Sequence, residues 1–304
     1  TPSPLPLPLP SSSPFRNDTE NHNHEHWDSV QTGVGDVVRV GPKELHMYYF
    51  GGDDEELALG PGSGIVGFRM RIGRAKSFDN GRTWTKDGRV SLDYHESEGL
   101  FASWPRIITP LDESHDNDKD SENVAEPWKM FYHSFNGDKW RVFGAESRDQ
   151  GDTWCRMGLV LEGGTDPSSS FDFQGIGTRS VTRWREGLLM IYEGVDQSST
   201  HRLGAAYCDL TQTAGNNINS NSNSNSNSNP WVKLNEGLPI LEPGKGPLGA
   251  WTKQVIGTPF TVQMPDGSLR LYHCAKEGPE GKMAIGVVVS ESGDIGPDCW
   301  KACH

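Results

Sequence analysis

The sequence predicts an all-β protein, a β-propeller of four-stranded antiparallel blades, on three observations. Its apolar residues fall in short strand-like runs punctuated by Gly, Pro, Asn and Asp, with 36 glycines, 10 tryptophans and no long helical periodicity. A strand of Met/Tyr type recurs four times, as "MYYFGG" from Met47, "MFYHSF" from Met130, "MIYEGV" from Met190 and "RLYHCA" from Arg270. A polar turn closed by an aromatic, "SFDNGRTW" (Ser77 to Trp84), returns as "SRDQGDTW" (Ser147 to Trp154).

In chain order, residues 1–26 run from "TPSPLPLPLPSSSP" to "NHNHEH", which is Pro-rich, then Ser-rich, then His/Asn-rich. They offer almost nothing to bury and read as an extended tail. Each Met/Tyr strand is preceded by a first strand: "VGDVVRV", "ASWPRII", "IGTRSVTRW" and "IGTPFTVQM". Each is followed by a third, "IGRAKS", "VFGAES", "LGAAYC" or "AIGVVVS", and by an outer segment around Trp84, Trp154, Trp231 and Trp300. The units fall at about 27–90, 94–160, 170–235 and 250–304, all in one domain over 27–304. The third and fourth are especially alike, since "FDFQGIGT" and "WTKQVIGT" share an aromatic, a Gln and Ile-Gly-Thr at the same offsets. The tract 212–230, built on "NSNSNSNSN", reads as a surface loop within the third unit. A meander of this size cannot bury both faces alone, so the copies are expected to pack around a common axis.

Charge narrows the partners. With 41 acidic against 28 basic residues and a net charge of -13, a sequence-independent grip on nucleic acid or an anionic membrane is disfavoured. No run approaches the ~18 apolar residues of a membrane span. The expected partner is a small molecule or oligosaccharide, bound by a soluble monomer. The Ser/Pro-rich start fits the remainder of an organelle transit segment or a secreted linker. Five scattered cysteines without paired CxxC spacing argue against a zinc knuckle and for free thiols.

The units resemble the blades of the five-bladed propeller superfamily of arabinanases, levansucrases and invertases. The likeness rests on "GVGDVVRV", on "MYYFGG" and "MIYEGV", and on turns such as "AKSFDNGRTW". The turn is also similar to the Asp-box of sialidases, which marks a hairpin between outer strands and implies no chemistry. The resemblance implies a substrate funnel at the axis, with an inner-strand Asp in the first blade, an Asp in the second and a Glu in the third. Such carboxylates would act as general acid and as nucleophile or base on either side of a glycosidic bond. Asp36 matches the first. Trp104, Thr178, Arg179 and Thr258 occupy the corresponding places of the other units, so two of the three acids are missing.

The residues directly after the repeated tyrosine supply an alternative: Phe50, His133, Glu193 and His273 are expected to rim the funnel beside Asp36. Glu193 then stands as the acid, with His133 and His273 as substrate contacts, general bases or ligands of a divalent metal. Trp104 offers a platform for a sugar ring or packs between blades, and Arg106 and Arg179 offer forked donors. An inward Arg179 calls for an anionic partner: Asp36, Glu193 or a ligand. Two readings follow, a glycoside hydrolase or transferase working through Asp36 and Glu193, and a non-hydrolytic propeller that binds a ligand or metal or runs other chemistry through His133, Glu193, His273 and Arg179. No cofactor is implied with certainty.

Overall fold

A computed structural model describes residues 27–60, 63–110, 126–211, 230–246, 249, 252, 255–276 and 281–303. The tail 1–26 and all of the 212–230 tract but Pro230 lie outside the described residues. Four antiparallel four-stranded units follow one another. The first comprises β1 (Gln31–Arg39), β2 (Leu45–Gly52), β5 (Arg71–Ser77) and β6 (Thr85–Leu92), with a small hairpin of β3 (Glu56–Gly60) and β4 (Ser63–Val66) inserted between β2 and β5. The second comprises β7 (Ser103–Ile108), β8 (Trp128–Phe135), β9 (Trp140–Ser147) and β10 (Cys155–Glu162). The third runs through β11 (Gly175–Trp184), β12 (Gly187–Val195), β13 (His201–Asp209) and β14 (Trp231–Lys233). The fourth runs through β15 (Val255–Gln263), β16 (Leu269–Lys276), β17 (Ala284–Ser290) and β18 (Lys301–Ala302). One parallel pair, Gly175 with Trp140, joins the second and third units.

The apolar runs explain the radial packing. In β12, Leu188, Met190 and Tyr192 pack toward the second unit, against Phe131, Val142 and Leu161, while Leu189 and Ile191 pack toward the fourth, against Leu269, Leu271 and Val288. A strand buried on both faces reads as a continuous apolar run, which is what "GLLMIY" is. Tyr48 and Ile72 meet Met130 and Tyr132 in the same way between the first and second units.

The repeated tyrosine is a strut. Tyr49 donates to Asp28 (2.8 Å), which also accepts from Lys86 of the outermost strand (2.6 Å). Tyr192 donates to Asp172 (3.1 Å), which accepts from Lys233 (2.6 Å). In the second unit Tyr132 donates to Glu98 (2.8 Å), and Arg156 pairs with the same carboxylate at 3.3 Å. Trp27 stacks on Tyr49, and Phe171 on Tyr192, at centroid distances of 5.4 and 5.9 Å. In these three units the carboxylate thus ties the entry of the inner strand to the second and fourth strands.

The turn "SFDNGRTW" closes the β5–β6 hairpin. Asp79 accepts from the Arg82 and Thr83 amides (both 2.9 Å) and the Thr83 hydroxyl (2.7 Å), and Ser77 Oγ accepts from the Gly81 amide (2.8 Å). Ser147 and Asp149 repeat the Ser77–Asp79 contact at the β9–β10 turn (2.7 Å). These turns stand at the outer strands, away from the axis.

The fourth unit departs from its sequence alignment. Ile176 faces Gly194 in the third unit, whereas Ile256 of the shared Ile-Gly-Thr faces Ala275 in the fourth. β16 is therefore slid by one residue, which exchanges its faces. His273, 2% exposed, takes the place of the strut tyrosine, and Tyr272 turns outward with Phe260 and Ile285. The expectation that His273 rims the funnel as the counterpart of His133 and Glu193 is overturned, because Cys274 has that position.

The strut is testable at Asp172, 2% exposed. Asp172→Ala leaves Tyr192 and Lys233 without their acceptor and is expected to cost roughly 2–3 kcal/mol in chemical denaturation. Ser168→Ala, which removes a hydroxyl from an exposed turn, should stay within about 0.5 kcal/mol.

Candidate functional site

All four inner strands carry a β-bulge. The pairing skips between Val34 and Asp36, Ser103 and Arg106, Ile176 and Arg179, and Gly257 and Phe260. Just past the bulges one position is equivalent in the four units: Asp36 faces Tyr48, Arg106 faces Phe131, Ser180 faces Ile191 and Phe260 faces Tyr272. These residues form a ring at the axis. The counterparts of Asp36 are therefore Arg106, Ser180 and Phe260, not Trp104, Thr178 and Thr258, which lie within the bulges.

Arg106 fills the ring. Its Nε donates to the Arg179 carbonyl (2.8 Å), its Nη1 to the Gly35 carbonyl, and its guanidinium lies 5.3 Å from the Phe260 ring centroid. One side chain thus reaches the other three units. Gly35 is glycine because a Cβ there would stand 2.4 Å from the Pro105 ring. Asp36 Oδ2 accepts from the Ile107 amide (2.8 Å) and Oδ1 from the Val37 amide (2.9 Å). The next contact of this kind around the ring, from the Thr261 amide to Ser180 Oγ, measures 2.9 Å.

A cavity of about 510 Å³ opens on the side toward which the inner strands run, lined by residues 36–39, 106–110, 180–183 and 260–263. Among the described lining residues Asp36 is the carboxylate and Arg39, Arg106 and Arg183 are the cations, with Arg183 paired to Glu126 at 2.7 Å. Its volume is within the range of small-ligand pockets. Burial raises the Asp36 pKa above the ordinary carboxylate value, against the opposing pull of Arg106 and two backbone amides. Burial lowers that of Arg106, and the charge of Asp36 partly restores it.

On the strand-entry side of the ring lies a second cluster. Glu193 Oε2 accepts from the Thr178 hydroxyl (2.5 Å) and the Thr258 amide (3.1 Å), and Oε1 meets His201 Nδ1 at 2.5 Å. Burial by itself raises the Glu193 pKa, but the hydrogen bonds from His201, Thr178 and Thr258 outweigh it and hold the carboxyl below its ordinary value. Glu193 raises His201 in return. The two carboxyls are thus shifted in opposite directions, Asp36 up by desolvation and Glu193 down by its donors. His201 was not anticipated. Its signal was a hairpin register: the tight turn 196–200 returns β13 beside the end of β12.

The remaining predicted residues are packed between units. His133, 2% exposed, donates from Nδ1 to the Gly177 carbonyl (3.0 Å) and lies within 5.0–5.1 Å of the Trp104 and Trp140 rings. Burial drives its pKa well below that of free histidine. Trp104 packs on Phe50 at 4.1 Å, the inter-unit role rather than a sugar platform. Arg179, 1% exposed, has no carboxylate among its hydrogen-bond partners: it donates to the Phe131 carbonyl (2.9 Å), the Trp104 carbonyl and the Gly177 carbonyl (3.5 Å). The expected pairing with Asp36 or Glu193 does not form. Among the described residues no group of three or more His, Cys, Asp or Glu side chains is placed to hold a metal ion, so the convergence expected of His133, His273 and the carboxylates is not seen.

Solved structures share this architecture. A glycosyl hydrolase from Bacteroides ovatus aligns over 91% of this chain and 70% of its own, with a TM-score of 0.57 and 16% identity. The fold is a β-propeller. A β-1,2-mannobiose phosphorylase from Listeria innocua aligns over 88% of this chain and 60% of its own, with a TM-score of 0.52 and 15% identity. An α-L-arabinofuranosidase from Lactobacillus brevis aligns over 83% and 70%, with a TM-score of 0.53 and 10% identity. No protein-family model and no curated protein matches the sequence.

A carboxyl whose folded pKa is raised favours the folded state below its unfolded pKa and loses that contribution as pH rises through the folded value. Asp36→Asn is therefore expected to raise the melting temperature at pH 7–8, with the gain shrinking to nothing below about pH 4. Melting curves across that range check it, and a gain that persisted undiminished at low pH would contradict the raised pKa.

Proposed function

We propose that the protein is a carbohydrate-active propeller, glycoside hydrolase- or transferase-like, that works at the axial ring with Asp36 as proton donor. The observation that carries this reading is the setting of Asp36: a half-buried carboxyl whose pKa desolvation raises, on the wall of a ligand-sized cavity, beside the guanidinium that fills the ring. The likeness in fold to a glycosyl hydrolase, a mannobiose phosphorylase and an arabinofuranosidase supports it. Asp36 gives its proton to the leaving glycosidic oxygen as the bond to the anomeric carbon breaks. An incoming oxygen forms the new bond, and the proton it sheds restores the acid.

The incoming oxygen has two sources. Among the described lining residues Arg39 and Arg106, which unlike Arg183 are not paired with Glu126, suit an anionic co-substrate such as phosphate as well as they suit water. A second reading, a propeller that binds a saccharide without cleaving it, is favoured by the ring itself, since Arg106 stands between the cavity of Asp36 and the cluster of Glu193.

The test is a panel of oligosaccharides, β-1,2-mannobiose and arabino-oligosaccharides included, each with and without inorganic phosphate. Turnover by the wild type should fall ~10²–10⁴-fold in Asp36→Asn. Turnover that survives Asp36→Asn unchanged defeats the assignment. Binding without any turnover supports the second reading.

A further inference from the structure

Glu193 is mostly buried, and three of its acceptor positions are filled from within the chain: by Thr178, the Thr258 amide and His201. The side chain beside it is not enclosed. His201 is 31% exposed, its Nδ1 is fixed against Glu193, and its Nε2 has no partner among the described residues. It stands at the first position of β13, after the turn that ends on Thr200, and so on the strand-entry side of the axis. The backbone around the cluster is held unusually: Thr258 has φ 49°, a left-handed conformation costly for a β-branched residue, and its amide is thereby turned onto Glu193 and Thr178. Gly257 is pressed so close that a Cβ would come within 2.6 Å of the Glu193 carboxyl. Strain of this kind persists only where the surroundings fix it, and what it fixes here is the direction of Glu193 and, through it, of the imidazole.

We infer that the group that exchanges protons at the entry mouth is His201 acting through Nε2, with Glu193 a positioning residue behind it. In the neutral form Nδ1–H points at Glu193 Oε1 and the Nε2 lone pair is free to take a proton from a water or sugar hydroxyl. The oxygen's electron pair then goes to its new bond, and the imidazolium formed is balanced by Glu193. The other charges near the ring are Asp196, which adds to the field of Glu193, and Arg202, which is engaged by Asp196 (2.6 Å) and Glu242 (3.3 Å). The inference rests on the carbohydrate reading only for the identity of the hydroxyl.

Nitrogen-15 NMR of the full chain decides the tautomer without any substrate. Neutral His201 is expected to carry its proton on Nδ1, and its titration midpoint should fall in Glu193→Gln and change little in Thr178→Val. At pH 8, diethyl pyrocarbonate should acylate His201 of the folded wild type several-fold faster than in Glu193→Gln. A proton on Nε2, an unmodified His201 in the folded protein, or a midpoint unmoved by Glu193→Gln overturns the inference. If Glu193→Gln does not fold, the wild-type tautomer and reactivity settle it. Where the panel yields a substrate, His201→Gln should lose turnover most above the His201 midpoint, where the neutral imidazole acts, and the acid limb of the wild-type pH profile should flatten. A dyad found by NMR in a protein inert toward every glycan refutes the carbohydrate reading and leaves the dyad standing.

Discussion

The axis of this molecule depends on a guanidinium buried without a carboxylate. Removing a cation from water costs several kcal/mol, and a surrounding of carbonyl dipoles offsets it only if several converge with good geometry. Arg179 draws on the carbonyls of Trp104, Phe131 and, at 3.5 Å, Gly177, from two units, while its Nε has no partner among the described residues. A lysine has no planar fork with which to do so. Burial, with Arg106 close by, pulls the Arg179 pKa well down, so the charge is sustained by this cage. Two consequences follow. The Trp104 carbonyl is captured while Trp104 sits at φ 48° before Pro105, and the Arg179 carbonyl is left facing the axis, where it receives Arg106.

Thr178 and Arg179 divide the work between neighbours. Arg179 grips the kink at Trp104 in the second unit, and Thr178, with Glu193, grips the kink at Thr258 in the fourth. Both kinks precede a proline, where the backbone is already restricted. One dipeptide of the third inner strand therefore sets the bulges on both sides, and through them the heights at which Arg106 and Phe260 enter the ring. The opposite pKa directions of Asp36 and Glu193 are products of the same arrangement: Asp36 is desolvated at the ring, and Glu193 is wrapped in donors that the kink delivers.

Much of the fold was legible because it is repeated. Strands buried on two faces appear as apolar runs, and the paired Ser and Asp of "SFDNGRTW" and "SRDQGDTW" encode their own turn. The site was less legible because a bulge or slip moves a residue by one position without marking the sequence. "RLYHCA" aligns by its tyrosine, yet the pairing of Ile256 with Ala275 makes His273 the buried residue and exposes Tyr272. The extra bulge residues likewise placed Trp104, Thr178 and Thr258 opposite Asp36 on paper, whereas Arg106, Ser180 and Phe260 are opposite it in space. Asp36 stands out in the sequence through its glycine-flanked strand, and the structure puts it on the cavity wall. Glu193 was found through the tyrosine repeat, but its dependence on His201 needed the β12–β13 register. Arg179 was recognised as demanding compensation, and the compensation came from carbonyls that no side-chain inventory displays.

The ring shows where function can reside in a repeating fold. The struts are nearly the same in three units, with Asp28, Glu98 and Asp172 doing one job, and sameness there reflects a shared mechanical need. At the ring the four equivalent positions hold an acid, a guanidinium, a hydroxyl and an aromatic ring, and nothing in blade packing requires that difference. Its effect is electrostatic. Arg106 lies next to Asp36 and faces Phe260, so the cation is satisfied by carbonyls and a π-face without forming a direct ion pair with Asp36, and the carboxyl stays partly free to hold a proton. A tight Asp36–Arg106 pair would have lowered the carboxyl's pKa. The carbonyls of Gly35 and Arg179 are thus what engage the guanidinium in place of Asp36.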